Sequence, residues 1–134
     1  VLGEAAGALG KMMPIFKAGL GGRIGSGKQW MSWIHVDDLV EMIYWAAMDS
    51  KVEGAVNGVA PNPVRNTEFT EVLARTLGRP ALLPVPVFGL KILYGEMADV
   101  LTGSQRVSPA VALKGGFAFR SAELGPALRS LVRE

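Results

Sequence analysis

The residues best suited to chemistry lie between Gly19 and Val40, where the sequence reads GLGGRIGSGKQWMSWIHVDDLV. This stretch joins a glycine-rich turn to two tryptophans, a histidine and a pair of aspartates. Glycine-rich turns can cradle phosphates, and paired carboxylates can carry out acid–base chemistry. No complete catalytic set is present, so the stretch predicts a binding loop joined to a strand and the start of a helix.

The segment from Gly22 to Lys28 reads G-x-x-x-x-G-K, which is most of a phosphate-binding loop. Such a loop requires Ser or Thr at the next position, to hold magnesium, and a helix directly after it. Here the next residue is Gln29, and residues 29–36, QWMSWIHV, alternate in a β-rich pattern typical of a strand. We therefore exclude nucleoside-triphosphate hydrolysis by this loop.

Alternation within that strand predicts two faces with different roles. One face would carry Trp30, Ser32, Ile34 and Val36, and the other Gln29, Met31, Trp33 and His35. Either face could line a cleft. The favoured alternative is that Trp30 and Trp33 are core aromatics and that His35 is a hydrogen-bonded structural histidine.

The adjacent carboxylates Asp37 and Asp38 stand at the start of a predicted helix that runs to about Met48. Carboxylates at a helix start accept hydrogen bonds from free backbone N–H groups and interact favourably with the helix dipole. Neighbouring residues on a helix point in different directions, which disfavours a paired acid and base. We interpret both aspartates as helix caps.

The elements that must position this stretch follow from the spacing of apolar residues. Helices are expected at residues 8–18, around Pro14, at residues 37–48 and at residues 90–101. A further helix is expected to begin at a cap formed by Asn66 or Thr67 and to end at residue 77. The last helix is expected at the end of the chain, with Pro126 in its first turn. Short strands are expected at 54–60, at 81–85 and near 117–119. This order predicts a single α/β unit over residues 1–134, with short strands alternating with helices.

Composition narrows the class of protein. The 14 basic and 12 acidic residues are scattered, so no basic stripe favours nucleic acid, and no apolar run approaches the ~20 residues of a membrane helix. Zero cysteines and one histidine disfavour disulfides and metal sites and fit a reducing compartment, which we expect to be cytoplasmic. With 49% hydrophobic residues and a start at Val1, we expect a piece of a longer protein whose uncovered apolar surface could drive self-association.

Five segments in order carry a family resemblance: GSGKQWMSWIHVDDLV, NGVAPNPVRNTEF, LGRPALLPVP, QRVSP and GFAFR. With them the chain resembles the C-terminal part of the sugar-nucleotide epimerase-like proteins of the extended short-chain dehydrogenase/reductase superfamily, a subgroup sometimes labelled cell-division inhibitor. The resemblance covers nearly the whole chain. It implies a Rossmann-like α/β fold in which this chain is the substrate-side C-terminal portion and an N-terminal NADP-binding half is absent from it.

The residues that carry catalysis and bind cofactor in that superfamily do not occur in this chain. Its Tyr-x-x-x-Lys pattern is missing, since Tyr44 is followed four residues later by Met48 and Tyr94 by Ala98. The early glycines from Gly3 onward are spaced G-x-x-x-G-x-x-G, which differs from the dinucleotide fingerprint. The resemblance thus implies NADP for the full-length protein and an inactive chain in isolation, with no catalytic, cofactor-binding or metal residue of its own.

The resemblance also implies a small-molecule substrate site. Many nucleotide-sugar enzymes read R-D-x-x-H-V-x-D, where the arginine grips a diphosphate, but this chain has Met31 and Ser32 there, which puts a sugar nucleotide in doubt. Arg106 stands where relatives carry a second phosphate-contacting arginine; a surface ion pair is its alternative role. The expected substrate-binding residues are Gln29, Trp30, Met31, Ser32 and Arg106, with Lys28 and Asn62 as weaker candidates.

Two functions are compatible with this set. The leading hypothesis is the substrate-binding portion of an NADP-dependent epimerase- or reductase-like protein. The alternative is a non-catalytic binding or regulatory protein that keeps the fold. His35 and Asp38 are expected to hold the turn from strand to helix.

Overall fold

The computed structural model describes residues 1–4 and 7–132, where helices alternate with short extended segments. The helices are α1 (Gly7–Lys17), α2 (Val36–Met48), α3 (Asn66–Leu77), α4 (Val87–Tyr94), α5 (Met97–Thr102), α6 (Ala110–Lys114) and α7 (Leu124–Val132). The strands β1 (Trp30–Met31) and β2 (Val64–Arg65) form an antiparallel pair in which Trp30 lies opposite Arg65 and Met31 opposite Val64.

Three of the expected helices, α1, α2 and α3, form within a residue or two of their predicted bounds, and the expected terminal helix forms as α7 with Pro126 in its first turn. The expectation of one continuous helix over residues 90–101 is wrong. Gly95 has φ 57° and ψ −131°, a conformation outside the helical region, and it divides the segment into α4 and α5. Apolar periodicity continues across this break, which is why the sequence pattern did not reveal it.

The expected strands are shorter than predicted. From the 29–36 segment only β1 forms a ladder, while His35 makes a single parallel bridge with Leu2. Of the 81–85 segment only Val85 pairs, in a parallel bridge with Ile24, because the flanking Pro84 and Pro86 have no N–H group to donate. Residues 54–60 and 117–119 are not strands.

Three apolar clusters form the core. The largest lies between α1, α3 and α7 and includes Phe16, Trp33, Phe69, Leu73 and Leu128. A second joins Ile24 to α4 and α5, and a third joins Ile34 to α2 and α6. The burial of Trp33 confirms its interpretation as a core aromatic, whereas Trp30 is only half-buried and belongs to none of these clusters.

A fully buried amide connects the start of α3 to the glycine-rich loop. The Oδ1 of Asn66 accepts a hydrogen bond from the backbone N–H of Ile24 at 2.7 Å, and the hydroxyl of Thr67 donates to the carbonyl of Gly27 at 2.9 Å. The expectation that Asn66 or Thr67 caps α3 is wrong, since the capping position is Arg65, which makes no side-chain cap bond. These polar side chains instead fix the loop that precedes β1.

A buried carboxylate holds a distant part of the chain against α2. The two oxygens of Asp38 accept hydrogen bonds from the backbone N–H groups of Arg120 and Ser121, at 3.0 and 2.9 Å, and the side chain is fully buried. The cap of α2 is His35, whose Nδ1 accepts from the N–H of Asp37 at 3.1 Å. The structural role of His35 is thus confirmed, while the cap role predicted for Asp38 is wrong.

Candidate functional site

The candidate site is built where β1 meets the segment that follows α5. The backbone N–H of Trp30 donates to the hydroxyl of Ser104 at 3.1 Å, and the N–H of Gln105 donates to the carbonyl of Trp30 at 3.2 Å. The hydroxyl of Ser32 donates to the carbonyl of Gln105 at 2.8 Å and accepts from the N–H of Val107 at 2.9 Å. These bonds hold the backbone on both sides of Arg106 and so fix where its side chain begins.

Two guanidinium groups lie against the indole ring of Trp30. The Cζ of Arg65 is 4.5 Å from the ring centroid and the Cζ of Arg106 is 4.6 Å from it. Arg65 is also anchored by a hydrogen bond from its Nη1 to the carbonyl of Lys28. Each exposed cation–π contact is worth about 0.5–1 kcal/mol. We call Trp30, Arg65 and Arg106 the arginine–tryptophan cluster.

The cluster carries positive charge without a carboxylate partner. Within residues 1–4 and 7–132 the ion pairs join Lys91 to Asp99 and Arg120 to Glu41, and neither includes Arg65 or Arg106. Among the described residues Arg106 therefore lacks the surface ion pair considered as its alternative role. Both guanidiniums are exposed and lie over one ring, and each offers the planar set of N–H donors that binds a phosphate or carboxylate.

The side chains of the other residues predicted from the sequence make their polar contacts with other groups of this chain. Gln29 donates from Nε2 to the carbonyl of Ile24 at 3.2 Å, and the sulfur of Met31 lies 3.4 Å from the side-chain nitrogen of Asn66. Asn62 donates to Glu123 at 2.8 Å. The structure thus brings Gln29, Trp30, Met31, Ser32 and Arg106 into one region, but only Trp30 and Arg106 present side chains to one another.

Arg65 is the cluster member that sequence reasoning missed. It lies 35 positions after Trp30, in the segment NGVAPNPVRNTEF, which carries the family resemblance but assigned no role to Arg65. Only the antiparallel register, which places Arg65 opposite Trp30, brings the two together. Cross-strand neighbours of this kind interact directly, so correct pairing of the two short strands was the signal needed to find it.

A second polar cluster has the composition of a hydrolase triad but not its hydrogen bonding. The Nε2 of His35 lies 3.1 Å from the hydroxyl of Ser130, and its Nδ1 lies 3.8 Å from a carboxylate oxygen of Asp37. The Ser130 hydroxyl donates its only hydrogen to the carbonyl of Ala127 at 2.7 Å. The Ser130 hydroxyl therefore does not donate to His35, and the serine-to-histidine hydrogen bond of a hydrolase triad is not formed.

Metal ligation, membrane spanning and an apolar cavity are the other features relevant to function in the described part of the chain. No group of three or more His, Asp or Glu side chains there could hold a metal ion. Between residues 7 and 132, no helix combines the length and the apolar character needed to cross a membrane. An apolar cavity of about 270 Å³ lies between α1, the glycine-rich loop and α4 to α5, with Phe16, Leu90, Leu93 and Tyr94 among its walls.

Known proteins match almost the whole chain. "Epimerase family protein SDR39U1 homolog, chloroplastic" of Arabidopsis thaliana is 48% identical over 133 residues, which is 99% of this chain and 38% of that protein. "Epimerase family protein YfhF" of Bacillus subtilis is 42% identical over 134 residues, 100% of this chain and 44% of that protein. The chain corresponds to the C-terminal part of an epimerase family protein. It spans less than half the length of these curated relatives.

Solved structures agree with this family assignment. The human epimerase family protein SDR39U1 (isoform 2), solved with NADPH, superimposes with a TM-score of 0.91 at 39% identity, over 97% of this chain and 44% of the human chain. The nucleoside-diphosphate sugar epimerase of Corynebacterium glutamicum gives a TM-score of 0.67 at 32% identity, over 95% of this chain and 23% of that protein. The α/β fold of the epimerase family, predicted from the resemblance, is thus confirmed.

Residues 85–131 of this epimerase-family chain also match a family described as "Domain of unknown function (DUF1731)". That segment begins at the bridge between Val85 and Ile24 and ends within α7. It therefore contains Arg106 and the loop that lies along β1, whereas Trp30 and Arg65 precede it. The arginine–tryptophan cluster is assembled across the boundary of the matched segment.

Proposed function

We propose that this chain forms the substrate-side portion of an NADP-dependent epimerase- or reductase-like protein. The observation that carries the proposal is the close superposition, over nearly the whole chain, on a human relative that was solved with NADPH. Relatives extend well beyond the matched part, so the complete activity requires residues outside this chain. The substrate class is argued below from the exposed charges.

The residues described here do not fit a dinucleotide by themselves. A fingerprint requires a full strand before its first glycine, whereas Leu2 forms only an isolated bridge and α1 begins at Gly7. Ala5 and Ala6, within the early glycine pattern, lie outside the described residues. Neither Tyr44 nor Tyr94 has a lysine four residues later. We infer that cofactor and proton-transfer groups come from the part of the protein that this chain does not include, and that the chain alone is inactive.

The substrate that this portion would hold is an anion. Met31 stands where nucleotide-sugar enzymes of the superfamily carry an arginine, and it packs against the core, whereas Arg65 of β2 supplies a guanidinium on the other face of β1, beside Trp30. Together with Arg106 it offers two cations beside an aromatic ring. A diphosphate or a carboxylate matches this charge, and a sugar nucleotide therefore stays within the proposed substrate class.

The test uses a full-length hybrid, in which this chain replaces the matching part of the Bacillus subtilis relative. Binding of NADPH, UDP-glucose and inorganic pyrophosphate is measured by calorimetry. Anion binding should weaken about tenfold in each of the variants Arg106→Ala, Arg65→Ala and Trp30→Ala. The two arginine variants each lose a charge-assisted hydrogen bond worth roughly 1.5 kcal/mol, and Trp30→Ala loses the ring that orients both arginines. NADPH affinity should change less than about twofold.

Two comparisons sharpen this test. Arg79→Ala removes an equally exposed arginine beyond the end of α3 and should leave all three affinities unchanged. Arg106→Lys keeps the charge but loses the planar stacking group, and should restore only part of the binding. Equal loss of anion and NADPH binding in Arg106→Ala would contradict the substrate-side assignment, and a hybrid that binds no NADPH would overturn the enzyme proposal.

The compartment stays a prediction. The absence of cysteine suits a reducing environment such as the cytoplasm. One relative carries the word chloroplastic in its name, and the prediction of a cytoplasmic location is not confirmed.

A further inference from the structure

We infer that the substrate of this protein is an amphiphilic anion, in which a hydrocarbon group is joined to a phosphate, diphosphate or carboxylate. Its anionic group binds the arginine–tryptophan cluster, and its hydrocarbon group lies in the apolar cavity between α1, the glycine-rich loop and helices α4 and α5. The inference rests on the proposed function, because it takes that cluster as the site of the substrate anion. It narrows the proposed substrate class by naming what the anion is attached to.

The cavity has the size and the lining of a hydrocarbon site. Its volume is about 270 Å³, whereas an apolar cavity of ~150 Å³ with Leu, Ile and Phe walls is already large enough to hold benzene. Among the described residues that line it, Tyr94 alone carries a polar side-chain group, and the others are aliphatic residues, glycine, methionine and phenylalanine. A nucleoside placed there would lose hydrogen bonds to water with almost no replacement, which favours a hydrocarbon.

The cavity has an exposed rim and a buried interior. Leu20 and Leu93 line it and are 73 and 70% exposed, whereas Phe16, Ile24 and Leu90 line it and are at most 5% exposed. A ligand can therefore enter past the two exposed leucines and reach buried apolar side chains. This gradient is that of a pocket and differs from that of a closed packing void.

The inner walls of the cavity are fixed by backbone contacts. A Cβ at Gly21 would lie 2.6 Å from the ring of Phe16, so glycine is what allows the loop to pack directly against that ring. Ile24 and Val85 form a parallel bridge, and the N–H of Ile24 also donates to Oδ1 of the buried Asn66 at 2.7 Å. The cavity is thus held open by the packing of the fold.

Two walls of the cavity lead directly to the arginine–tryptophan cluster. The carbonyl of Ile24 accepts a hydrogen bond at 3.2 Å from Nε2 of Gln29, the residue before Trp30. On the other side, Leu101 of α5 precedes Arg106 by five residues, which is at most about 18 Å of chain. The segment between them is hydrogen-bonded to β1. One molecule can therefore fill the cavity and place its head group at the arginines.

Butyl, hexyl and octyl phosphate test the inference, because they share a head group and differ only in hydrocarbon length. Calorimetry measures their binding to the full-length hybrid with the Bacillus relative, below micelle-forming concentrations, with inorganic phosphate and UDP-glucose as comparisons. Each methylene that enters the cavity should tighten binding about fourfold, so octyl phosphate should bind at least about thirtyfold more tightly than butyl phosphate. The heat-capacity change of binding should become more negative with length, since more apolar surface is buried.

Two isoleucines form a matched pair for the hydrocarbon end. Ile15 of α1 lines the cavity, whereas Ile92 of α4 is not among its lining residues and is 81% exposed. Ile15→Trp fills the cavity and should bring the affinity for octyl phosphate within about threefold of that for butyl phosphate, because methylenes can no longer enter. Ile92→Trp should keep the full dependence on length. Arg106→Ala should weaken all three alkyl phosphates by the same factor, because they share the head group.

Circular dichroism checks the fold of each variant. If Ile15→Trp is unfolded, Leu93→Asn replaces it and Leu82→Asn becomes the control, since Leu93 lines the cavity while both leucines are largely exposed, at 70 and 85%. Leu93→Asn should weaken octyl phosphate binding and leave inorganic phosphate unchanged. Leu82→Asn should change neither affinity.

Three results would overturn the inference. The first is equal affinity of the hybrid for butyl and octyl phosphate, or a dependence on length that the cavity variant and its control change to the same degree. The second is octyl phosphate binding that Arg106→Ala leaves unchanged, because head and tail would then not share one site. The third is a dependence on length in this chain alone that the hybrid lacks, because the rest of the protein would then fill the cavity.

Cofactor binding separates failure of this inference from failure of the proposed function. A hybrid that binds NADPH, and binds UDP-glucose through Arg106, but shows no dependence on hydrocarbon length refutes the amphiphilic substrate alone. A hybrid that shows the dependence on length and loses it in Ile15→Trp, but does not bind NADPH, supports the hydrocarbon site and refutes the proposed function.

Discussion

Replacing Asp38 should destabilise the chain far more than replacing its neighbour Asp37. Asp38 is fully buried, and its two oxygens accept the backbone N–H groups of Arg120 and Ser121. The side chain of Asp37 is 76% exposed, and its contact with His35 spans 3.8 Å. The two aspartates are adjacent in sequence and both lie in the first turn of α2, so they form a matched pair.

The magnitude follows from the contacts that are lost. A hydrogen bond to a charged group contributes about 1.5–3 kcal/mol, and an unsatisfied buried N–H costs a similar amount. Asp38→Ala removes the acceptor for two such groups, so the free energy of unfolding should fall by about 3–5 kcal/mol. Asp38→Asn keeps one acceptor and should cost about 2 kcal/mol. Asp37→Ala loses a helix-terminal charge and should cost about 0.5 kcal/mol.

The assay is urea denaturation of this chain at neutral pH, followed by far-ultraviolet circular dichroism. With a denaturant slope of about 2 kcal/mol/M, the Asp38→Ala midpoint should fall by about 1.5–2.5 M and the Asp37→Ala midpoint by less than about 0.5 M. Hydrogen exchange should show the amides of Arg120 and Ser121 losing protection only in the Asp38 variants.

Similar midpoints for Asp38→Ala and Asp37→Ala would refute the reasoning, because they would show that the buried carboxylate does no more than an exposed helix-terminal charge. Loss of stability without faster exchange at Arg120 and Ser121 would also contradict it. In that case the cost would arise from helix α2 itself and not from its attachment to the 120–121 segment.

Two further predictions concern the loop before β1. Asn66→Ala removes a fully buried amide whose oxygen accepts a hydrogen bond from a backbone N–H at 2.7 Å, and it should lower the free energy of unfolding by about 2–3 kcal/mol in urea denaturation. Asn57 is exposed and makes one hydrogen bond at 3.2 Å, so Asn57→Ala should lower the same free energy by less than about 1 kcal/mol. Gly27→Ala should lower the melting temperature far more than Gly54→Ala. Both glycines have φ near +70°, but a Cβ at Gly27 would lie 2.2 Å from the hydroxyl oxygen of Thr67, while none of the described atoms lies within 4 Å of a Cβ at Gly54. Equal costs within either pair would contradict the packing that distinguishes them.

The helices and the interpretation of the glycine-rich loop were predictable because their signals are local. Apolar spacing placed α3 and α7, and Gly78, with φ 63°, ends α3 as a glycine at that position should. Gln29 in place of Ser or Thr is enough to exclude a phosphate-binding loop of this type. Such signals depend on neighbouring residues, so the sequence contains them in full.

The strands were less predictable because a strand exists only where a partner pairs with it. Residues 29–36 have a strand pattern, but β2 offers only two residues to pair with. Residues 81–85 are apolar, yet the prolines around Val85 limit pairing to one bridge. Alternation did predict the faces correctly, since Met31 and Trp33 contact the largest core cluster while Ile34 lies in another.

By itself the sequence determined α1, α2, α3 and α7, the resemblance to epimerase-like proteins and the absence of the superfamily's Tyr-x-x-x-Lys pattern, because each of these depends on residues close together in the chain. Tertiary structure alone decided that Arg65 lies over Trp30 and that Asp38 accepts from the backbone N–H of Arg120. It also decided that Ser130 lies beside His35 while its hydroxyl donates to Ala127. These contacts join residues 35 to 95 positions apart. Charge, burial and proton position depend on such distant neighbours, and no local pattern specifies which neighbours they will be.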